Sequence, residues 1–306
     1  MSEKGQSDAP AQKRTRVAKE TPARVAPASR PRPSAATRAP RATETDAASK
    51  SPAPAVIRAA EILSVLAKQP QRAFGPSELS RKTNLPKSTV HNLCSALSEV
   101  GFLRRDGRGV RLHHRLAELG NAYINGMREI EEFYDFCRRR LPGAPQTVQL
   151  GVLADGMKVM FLARHDGREP LNLGRASEIG RLVPAHCTAN GKALLAALSP
   201  AELEEVLPRS GRLPTITAQS VSSARDLDSV LAEIRQRGYS EEHGEIVRGL
   251  NCFGVAIRTP NREDGLIGLS FSYPENHLDK DFARVGNDLR QFAEHFAQKI
   301  KGELAF

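Results

Sequence analysis

One stretch of the chain, residues 53–115, has a pattern that few folds can accommodate: three short helices followed by an arginine-rich hairpin. The first helix is predicted to end before Lys68-Gln69-Pro70. Its apolar face, at helical spacing, is Val56, Ala59, Ala60, Leu63 and Leu66. The second helix is expected to begin at Gly75-Pro76-Ser77-Glu78, because proline and an acid suit a first turn. Asn84-Leu85-Pro86 then imposes a turn.

The third helix is predicted over residues 87–100, and Gly101 is a natural residue to end it. One face is apolar and consists of Val90, Leu93, Leu97 and Val100. The opposite face is polar or basic, with Lys87, Ser88, Thr89, His91, Asn92 and Ser95 near the helix start. A recognition helix presents its N-terminal residues to base edges in the major groove, where Asn suits adenine and Lys suits guanine or phosphate.

The hairpin over residues 102–112 has two short strands around a glycine-containing turn and carries four arginines, which is typical of a basic wing. The combination predicts a winged helix-turn-helix that binds double-stranded DNA. The candidate DNA-binding residues are Ser77, Lys87, Ser88, Thr89, His91, Asn92, Arg104, Arg105, Arg108 and Arg111.

The distribution of charge agrees with this interpretation. Residues 1–55 contain 11 Lys and Arg against 5 Asp and Glu, a net charge of +6. Residues 56–115 contain 11 against 4, a net charge of +7, and the remaining 191 contain 23 against 26, a net charge of −3. Excess positive charge in the first third indicates a polyanionic partner. The alternative is a basic solubilising tail on an otherwise neutral protein.

Residues 1–52 are rich in Ala, Pro, Arg, Ser and Thr and are expected to be disordered, because they cannot bury enough apolar surface to offset ordering entropy. Their arginines could contact phosphates without sequence preference, or the tail could simply be solvated. No apolar run approaches the 18 residues of a membrane span, and no signal peptide is evident, so a cytoplasmic protein is expected. Four scattered cysteines without a CxxC pair fit reduced thiols.

The remainder of the chain changes to a mixed pattern. Residues 116–140 predict one or two helices, and from Gln146 onward period-two segments predict strands around an Asp155-Gly156 hairpin. Helices are predicted over residues 188–198, 202–207, 224–238 and 282–304, and strands over 251–259 and 266–273. Such an alternation predicts an α+β domain with an antiparallel sheet.

No catalytic motif of the common kinds is present, so no enzymatic activity and no cofactor are expected. Gly191-Lys192 lacks the upstream glycine and the following hydroxyl residue of a phosphate-binding loop. His186, Cys187, His243 and Cys252 could in principle gather as metal ligands, but their spacing does not require it. We therefore predict no metal site.

Several motifs resemble the IclR family of bacterial regulators. SELSRKTNLPKSTVHNLCSALSEVGFLRRD resembles its DNA-binding domain, GRLVPAHCTANGKALLAAL the entry to its effector domain, and GLIGLSFSYP its Ser-x-Ser strand end. RGYSEEHGEIVRGLNCFGVAI resembles its acidic strand and Gly-x-x-Cys segment. The resemblance covers about 250 residues. It implies a tail (1–52), a winged helix-turn-helix (53–115), a linker helix that helps to pair subunits (116–141) and a GAF/PAS-like α+β effector domain (142–306).

The resemblance also implies an effector pocket at Ala189, Asn190, Glu242, Leu250, Cys252, Ser270 and Ser272. A helix N-terminus near Ala189 would favour a carboxylate, and Ser270 and Ser272 alternate along one strand, so both face the same side. The chain departs from the family in its Glu241-Glu242-His243 segment, in Asn251 before the cysteine, and in the larger Asn190.

The implied function is a repressor or activator, acting as a homodimer or homotetramer and controlled by a small organic or aromatic acid. The alternative is an architectural DNA-binding protein whose C-terminal domain only oligomerises.

Overall fold

The structure is a computed structural model that describes residues 52–107, 109–154, 157–168, 171, 178–260, 265–277 and 281–306. Residues 1–51 of the expected disordered tail, Arg108 and the predicted Asp155-Gly156 turn lie outside these residues. Within the described part of the chain, no helix is long and apolar enough to cross a bilayer.

Three helices and a hairpin form the N-terminal fold: α1 (Pro54–Ala67), α2 (Pro76–Thr83), α3 (Lys87–Glu99), β1 (Leu103–Asp106) and β2 (Gly109–Leu112). Asn84 ends α2 in the left-handed conformation, with φ of 54°. The Ser80 hydroxyl donates to the Leu85 carbonyl at 2.6 Å, which fixes the turn between the two helices. Phe74 pairs with Val110 of β2 through two backbone hydrogen bonds, so the hairpin is joined to the helices. The fold is the predicted winged helix-turn-helix.

Three residues assigned to apolar helix faces are exposed instead. Val56 is 67% exposed, Val100 is 52% exposed and Ala60 is also exposed, so the sequence prediction was wrong for all three. The core of α1 is built from Ile62 and Leu66, which contact residues of α2 and α3. Val100 is displaced from the core because α3 ends at Glu99 and the chain turns through Gly101, whose φ is 79°.

The linker consists of two helices, α4 (Arg115–Asn125) and α5 (Arg128–Arg140), with a break at Gly126-Met127. No residue of α4 is buried, although it carries Leu119 and Tyr123. By contrast, α5 buries an apolar stripe against the C-terminal domain.

Among the residues that the structure describes, the C-terminal domain contains a seven-stranded antiparallel sheet. Its strands are β3 (Thr147–Ala154), β4 (Lys158–His165), β5 (Leu182–Pro184), β6 (Ser240–His243), β7 (Leu250–Arg258), β8 (Leu266–Pro274) and β9 (Glu303–Leu304). The order across the sheet is β5-β4-β3-β8-β7-β6, and β9 pairs with β7. One face packs against α5 and the closing helix α9 (Phe282–Ile300), as in the edge-to-face contact of Phe133 with Phe296.

The opposite face of the sheet carries α6 (Ala189–Ala196), α7 (Pro200–Val206) and α8 (Ala224–Arg237). Thr188 caps α6 by accepting from the Gly191 N–H at 2.9 Å. The start of α6 lies very close to the sheet, because a side chain at Gly254 would collide with the backbone of Ala189. The Ser240 hydroxyl donates to the Ala189 carbonyl at 2.5 Å and fixes this approach.

The chain end differs from the prediction of one helix through Leu304. The helix α9 ends at Ile300, because Lys301 adopts a left-handed φ of 59° and Gly302 packs against the Arg258 carbonyl. The last residues instead form β9 on the edge of β7. The α+β class with an antiparallel sheet is as predicted from sequence and is compatible with a GAF/PAS-like architecture.

Candidate DNA-binding surface and ligand cavity

The start of α3 presents polar side chains to solvent. Lys87, Ser88, His91 and Asn92 are exposed and Thr89 is half-buried. The apolar residues Val90, Cys94 and Leu97 are buried in the core on the other side. The exposed face therefore has a length and chemistry that suit base edges in a major groove.

The wing carries exposed positive charge next to that helix. Arg104 and Arg105 are exposed, whereas Arg111 is half-buried and its Nε lies 3.0 Å from a carboxylate oxygen of Asp106. Because Asp106 offsets its charge, Arg111 is the least available of the three for a phosphate. Ser77, at the start of α2, is also exposed.

A groove separates the recognition helix from the wing. His91 and Arg105 both line it, so two of the predicted DNA-binding residues from different elements come together there. The remaining lining residues are Pro76, Cys94, Ser95, Ser98, Gly107, Gly109 and Val110.

A cavity of about 390 Å³, part of it open to solvent, lies between the start of α6 and the sheet. All seven residues that sequence resemblance assigned to an effector pocket line it: Ala189, Asn190, Glu242, Leu250, Cys252, Ser270 and Ser272. The cavity also has five lining residues that sequence reasoning missed: Gln149, Phe161, Thr188, Ile246 and Val247.

Strand register explains how distant residues reach the same cavity. Ser270 of β8 lies opposite Gln149 of β3, and Ser272 lies opposite Cys252 of β7. Cys252 in turn lies opposite Glu242 of β6. Side chains opposite one another in an antiparallel pair share a face, so these residues form one polar surface. Gln149 could not be identified from sequence because this pairing is not encoded locally.

Glu242 is fully buried, and its two carboxylate oxygens have different environments. Oε1 accepts hydrogen bonds from the backbone N–H groups of Glu245 and Ile246, the latter at 3.2 Å. Oε2 accepts no hydrogen bond from a nitrogen or oxygen donor within the described part of the chain. Burial raises the pKa of the Glu242 carboxyl, and hydrogen bonds from the Cys252 thiol and the two N–H groups oppose this increase.

Cys252 contacts this carboxyl from the neighbouring strand. Burial, followed by the nearby Glu242 charge, raises the pKa of the Cys252 thiol well above its ordinary value. The thiol is therefore protonated at neutral pH and acts as a hydrogen-bonding wall, not as a nucleophile.

Asn190 is 1% exposed, and among the described residues neither Oδ1 nor Nδ2 of its side chain has a hydrogen-bond partner. The amide rests on a bare part of the sheet formed by Gly151 and Gly268, which lie opposite each other on β3 and β8. A Cβ at Gly268 would collide with the amide, and one at Gly151 would lie 3.0 Å from Oδ1. An unsatisfied buried polar group costs about 1–3 kcal/mol, so a ligand that pairs with this amide gains that amount.

The loop between β6 and β7 forms one wall of the cavity and is held from two sides. Glu245 makes a buried ion pair with Lys192 of α6. The Ser220 hydroxyl donates to the Glu245 carbonyl at 2.7 Å, and the Thr217 hydroxyl donates to the Gly244 carbonyl at 2.8 Å. Lys192 thus has a structural role, in agreement with the rejection of a phosphate-binding loop.

The two histidines considered as metal ligands have other partners. His186 Nε2 lies 2.9 Å from the Pro214 carbonyl, and His243 lies between Glu241 and Asn251. Among the residues that the structure describes, no group of three potential ligands could hold a metal ion.

Comparisons with known proteins agree with both halves of the fold. Residues 55–107 match the family model described as IclR helix-turn-helix domain. Residues 139–298, more than half of the chain, match the model described as bacterial transcriptional regulator IclR C-terminal.

Individual relatives are similar over most of their length. The HTH-type transcriptional regulator KdgR of Dickeya chrysanthemi is 30% identical over 69% of this chain and 68% of its own. The crystal structure of the Agobacterium tumefaciens repressor BlcR matches with a TM-score of 0.50 and 31% identity, covering 81% of this chain and 98% of that one. An IclR homologue of Microbacterium hydrocarbonoxydans, solved with 4-hydroxybenzoate, matches with a TM-score of 0.63 and 25% identity, covering 81% and 99%.

A winged helix-turn-helix followed by an α+β domain whose cavity is lined by both apolar and polar side chains defines a DNA-binding transcription regulator that is controlled by a small molecule. The chain belongs to the IclR family of bacterial transcription regulators. Members of this family bind operator DNA and small-molecule effectors. The relatives that it matches are regulators and repressors, not enzymes.

Proposed function

We propose that the chain recognises its operator with the start of α3 in the major groove and with the wing on the adjacent phosphates. The exposed face of Lys87, Ser88, His91 and Asn92 carries this proposal, because such residues at a helix start can reach base edges. The other proposed contacts are to the DNA backbone, from Ser77, Thr89, Arg104, Arg105, Arg108 and Arg111. Positive side chains there supply the salt-dependent part of the affinity.

The proposed division of the chain into domains follows the change in charge and residue pattern along the sequence. Residues 53–115 bind DNA, residues 116–141 link the domains, and residues 142–306 bind the effector. A regulator that acts on a bacterial operator works in the cytoplasm.

The proposed effector is a small organic or aromatic acid bound in the cavity beside α6. Ala189 and Asn190 lie in the first turn, where N–H groups have no partner within a helix and the helix dipole favours an anion. Ser270 and Ser272 offer hydroxyls, and Leu250 offers apolar wall. The bound 4-hydroxybenzoate in the Microbacterium relative supports an acid of this size.

The proposed assembly is a homodimer or homotetramer. Leu119 and Tyr123 of α4 are 53% and 50% exposed and lie one helical turn apart, which fits pairing with a second copy. Two copies would place two recognition helices on two half-sites of an operator. An effector changes operator affinity only if it binds better to one arrangement of the paired copies than to the other.

A gel-shift titration tests the proposal with the native chain on the gene's own upstream DNA and on a scrambled fragment, at two salt concentrations. Preference for the upstream DNA by about a thousandfold or more is expected of a specific regulator. Equal and strongly salt-dependent binding to both fragments would contradict it and favour an architectural DNA-binding protein.

A further inference from the structure

The unpartnered amide of Asn190 indicates which polar group the effector should carry. The shape of the cavity alone does not indicate this. Oδ1 and Nδ2 both lack partners within the described residues, and the amide is held on the glycine surface of β3 and β8. Its chemistry does not change with pH: Nδ2 only donates and Oδ1 only accepts. Glu242 is less informative, because its carboxyl accepts or donates hydrogen bonds according to its protonation.

The amide lies close to the proposed carboxylate position, because both belong to the first turn of α6. The backbone N–H and the side chain of Asn190 are only a few bonds apart. A ligand that uses both must therefore carry a second polar group a few atoms from its carboxylate. The bare surface of Gly151 and Gly268 lies beneath the amide, and Asn190 itself lines the cavity.

A single hydroxyl group can form hydrogen bonds with both polar atoms of a primary amide. Its oxygen accepts from Nδ2 and its proton is donated to Oδ1. A ketone oxygen could only accept, which would leave Oδ1 unsatisfied, and a methylene would leave both amide atoms without partners.

We propose that the effector is a compact hydroxy acid, with its carboxylate at the first turn of α6 and its hydroxyl paired with both side-chain atoms of Asn190. The proposal rests on the proposed effector site. It makes Asn190 the residue that selects hydroxy acids over oxo acids and unsubstituted acids of the same length.

Five acids with one four-carbon skeleton test this selection: 2-, 3- and 4-hydroxybutanoate, 2-oxobutanoate and butanoate. Their dissociation constants are measured by calorimetry with the native full-length chain. We expect at least one hydroxybutanoate to bind about tenfold more tightly than butanoate, as one satisfied buried polar group would produce, with 2-oxobutanoate between them.

Substitutions of Asn190 distinguish the effect of the amide's hydrogen bonds on acid binding from the effect of its volume. Asn190→Leu has nearly the same shape but no polar atoms, so the hydroxybutanoate and butanoate constants should become equal. Asn190→Asp keeps only acceptors and should weaken binding of 2-oxobutanoate more than that of the hydroxy acids. Asn251→Ala, which removes a buried amide outside the cavity, is the matched control and should preserve the selection.

Equal binding of butanoate and all hydroxybutanoates to the native chain would overturn the proposal, as would a preference that survives in Asn190→Leu or an absence of binding by all five acids. The same preparations are titrated with operator DNA in the absence of acid. If the native chain binds operator DNA specifically but does not prefer hydroxy acids, only the proposed role of Asn190 is refuted. If the native chain shows no preference for operator DNA over scrambled DNA, the proposed function as a regulator is refuted.

Discussion

At the residue scale, the side chains of the proposed DNA-binding surface differ in whether they can distinguish one base from another. His91 and Asn92 are exposed near the start of α3 and can exchange hydrogen bonds with particular bases. Arg104 is exposed on the wing and opposite Arg111, whose charge is already paired with Asp106. The helix residues should therefore determine specificity, whereas Arg104 should contribute mainly to general affinity.

Substitution of these residues should separate the two effects. His91→Ala or Asn92→Ala should lower operator affinity by about 1–3 kcal/mol with little effect on scrambled DNA. Arg104→Ala should weaken both DNAs alike and reduce the slope of log K against log salt by about 1. Titrations at several salt concentrations measure both quantities, with Glu99→Ala at the far end of α3 as the control. Uniform weakening by the His91 and Asn92 substitutions would contradict these roles.

His243 illustrates a titration determined by neighbouring side chains. Its Nε2 lies 3.1 Å from a Glu241 carboxylate oxygen and its Nδ1 lies 2.7 Å from the Asn251 side-chain oxygen. The hydrogen bond to Glu241 raises the pKa of His243, burial opposes the rise, and Asn251 adds to it. The ring also contacts the Phe282 ring of α9, with the ring centroids 4.8 Å apart and the planes tilted by 31°.

The sign of the pH effect follows from the raised pKa. The folded state binds the His243 proton more tightly than the unfolded state, so the stabilisation is complete below the ordinary pKa of 6.5. It should be lost as pH rises through the raised pKa. The difference in Tm between the native chain and His243→Gln should therefore shrink on going from acidic to alkaline pH. An NMR titration in which Glu241→Gln leaves the His243 pKa unchanged would show that Glu241 is not the cause of the rise.

At the element scale, the loop between β6 and β7 depends on a buried ion pair formed across 53 residues of sequence. The Lys192 side chain is 3% exposed and the Glu245 side chain 10% exposed. Removing one member of such a pair leaves an uncompensated buried charge, whereas replacing both with apolar residues can be nearly neutral.

Lys192→Met should accordingly destabilise the chain by about 3–5 kcal/mol, and Lys192→Met with Glu245→Leu should recover most of that loss. Urea unfolding measures both free energies. Arg128→Met breaks the exposed pair with Glu132 and should cost at most about 1 kcal/mol. If Lys192→Met lowered the free energy of unfolding no more than this control, the buried pair would not be important for stability.

At the scale of the whole molecule, DNA recognition by one winged helix offers a small contact area. Binding of two linked copies to two half-sites raises affinity without any new kind of contact. The exposed stripe on α4 is the surface that we assign to this pairing.

Leu119→Asp should dissociate the proposed dimer or tetramer, because it would leave an unpaired charge in the centre of an apolar contact. Light scattering should show a monomer, and operator affinity should fall by about a hundredfold or more through loss of avidity. Asn121→Asp, on the opposite side of α4, should leave both unchanged. A native chain that is already monomeric at micromolar concentration would contradict the assignment.

The sequence by itself determined the elements whose ends are specified locally. Pro76, Asn84 and Gly101 bound the helices of the DNA-binding fold as predicted, because helix starts and ends depend on dihedral preferences of nearby residues. Alternation along one strand likewise placed Ser270 and Ser272 on the same face. Resemblance to a known family supplied the other predicted cavity residues, which are Ala189, Asn190, Glu242, Leu250 and Cys252.

Only the tertiary structure decided how distant segments combine. Periodicity placed Val56 and Val100 on the apolar faces of their helices, but both are exposed. Whether another element covers such a face depends on where the neighbouring helices end. Gln149 reached the cavity through strand register, and the Asn190 amide found space only because two glycines face each other on different strands. Local preferences act over a few residues, whereas register and close packing are determined by the free energy of burying surfaces that are far apart along the chain.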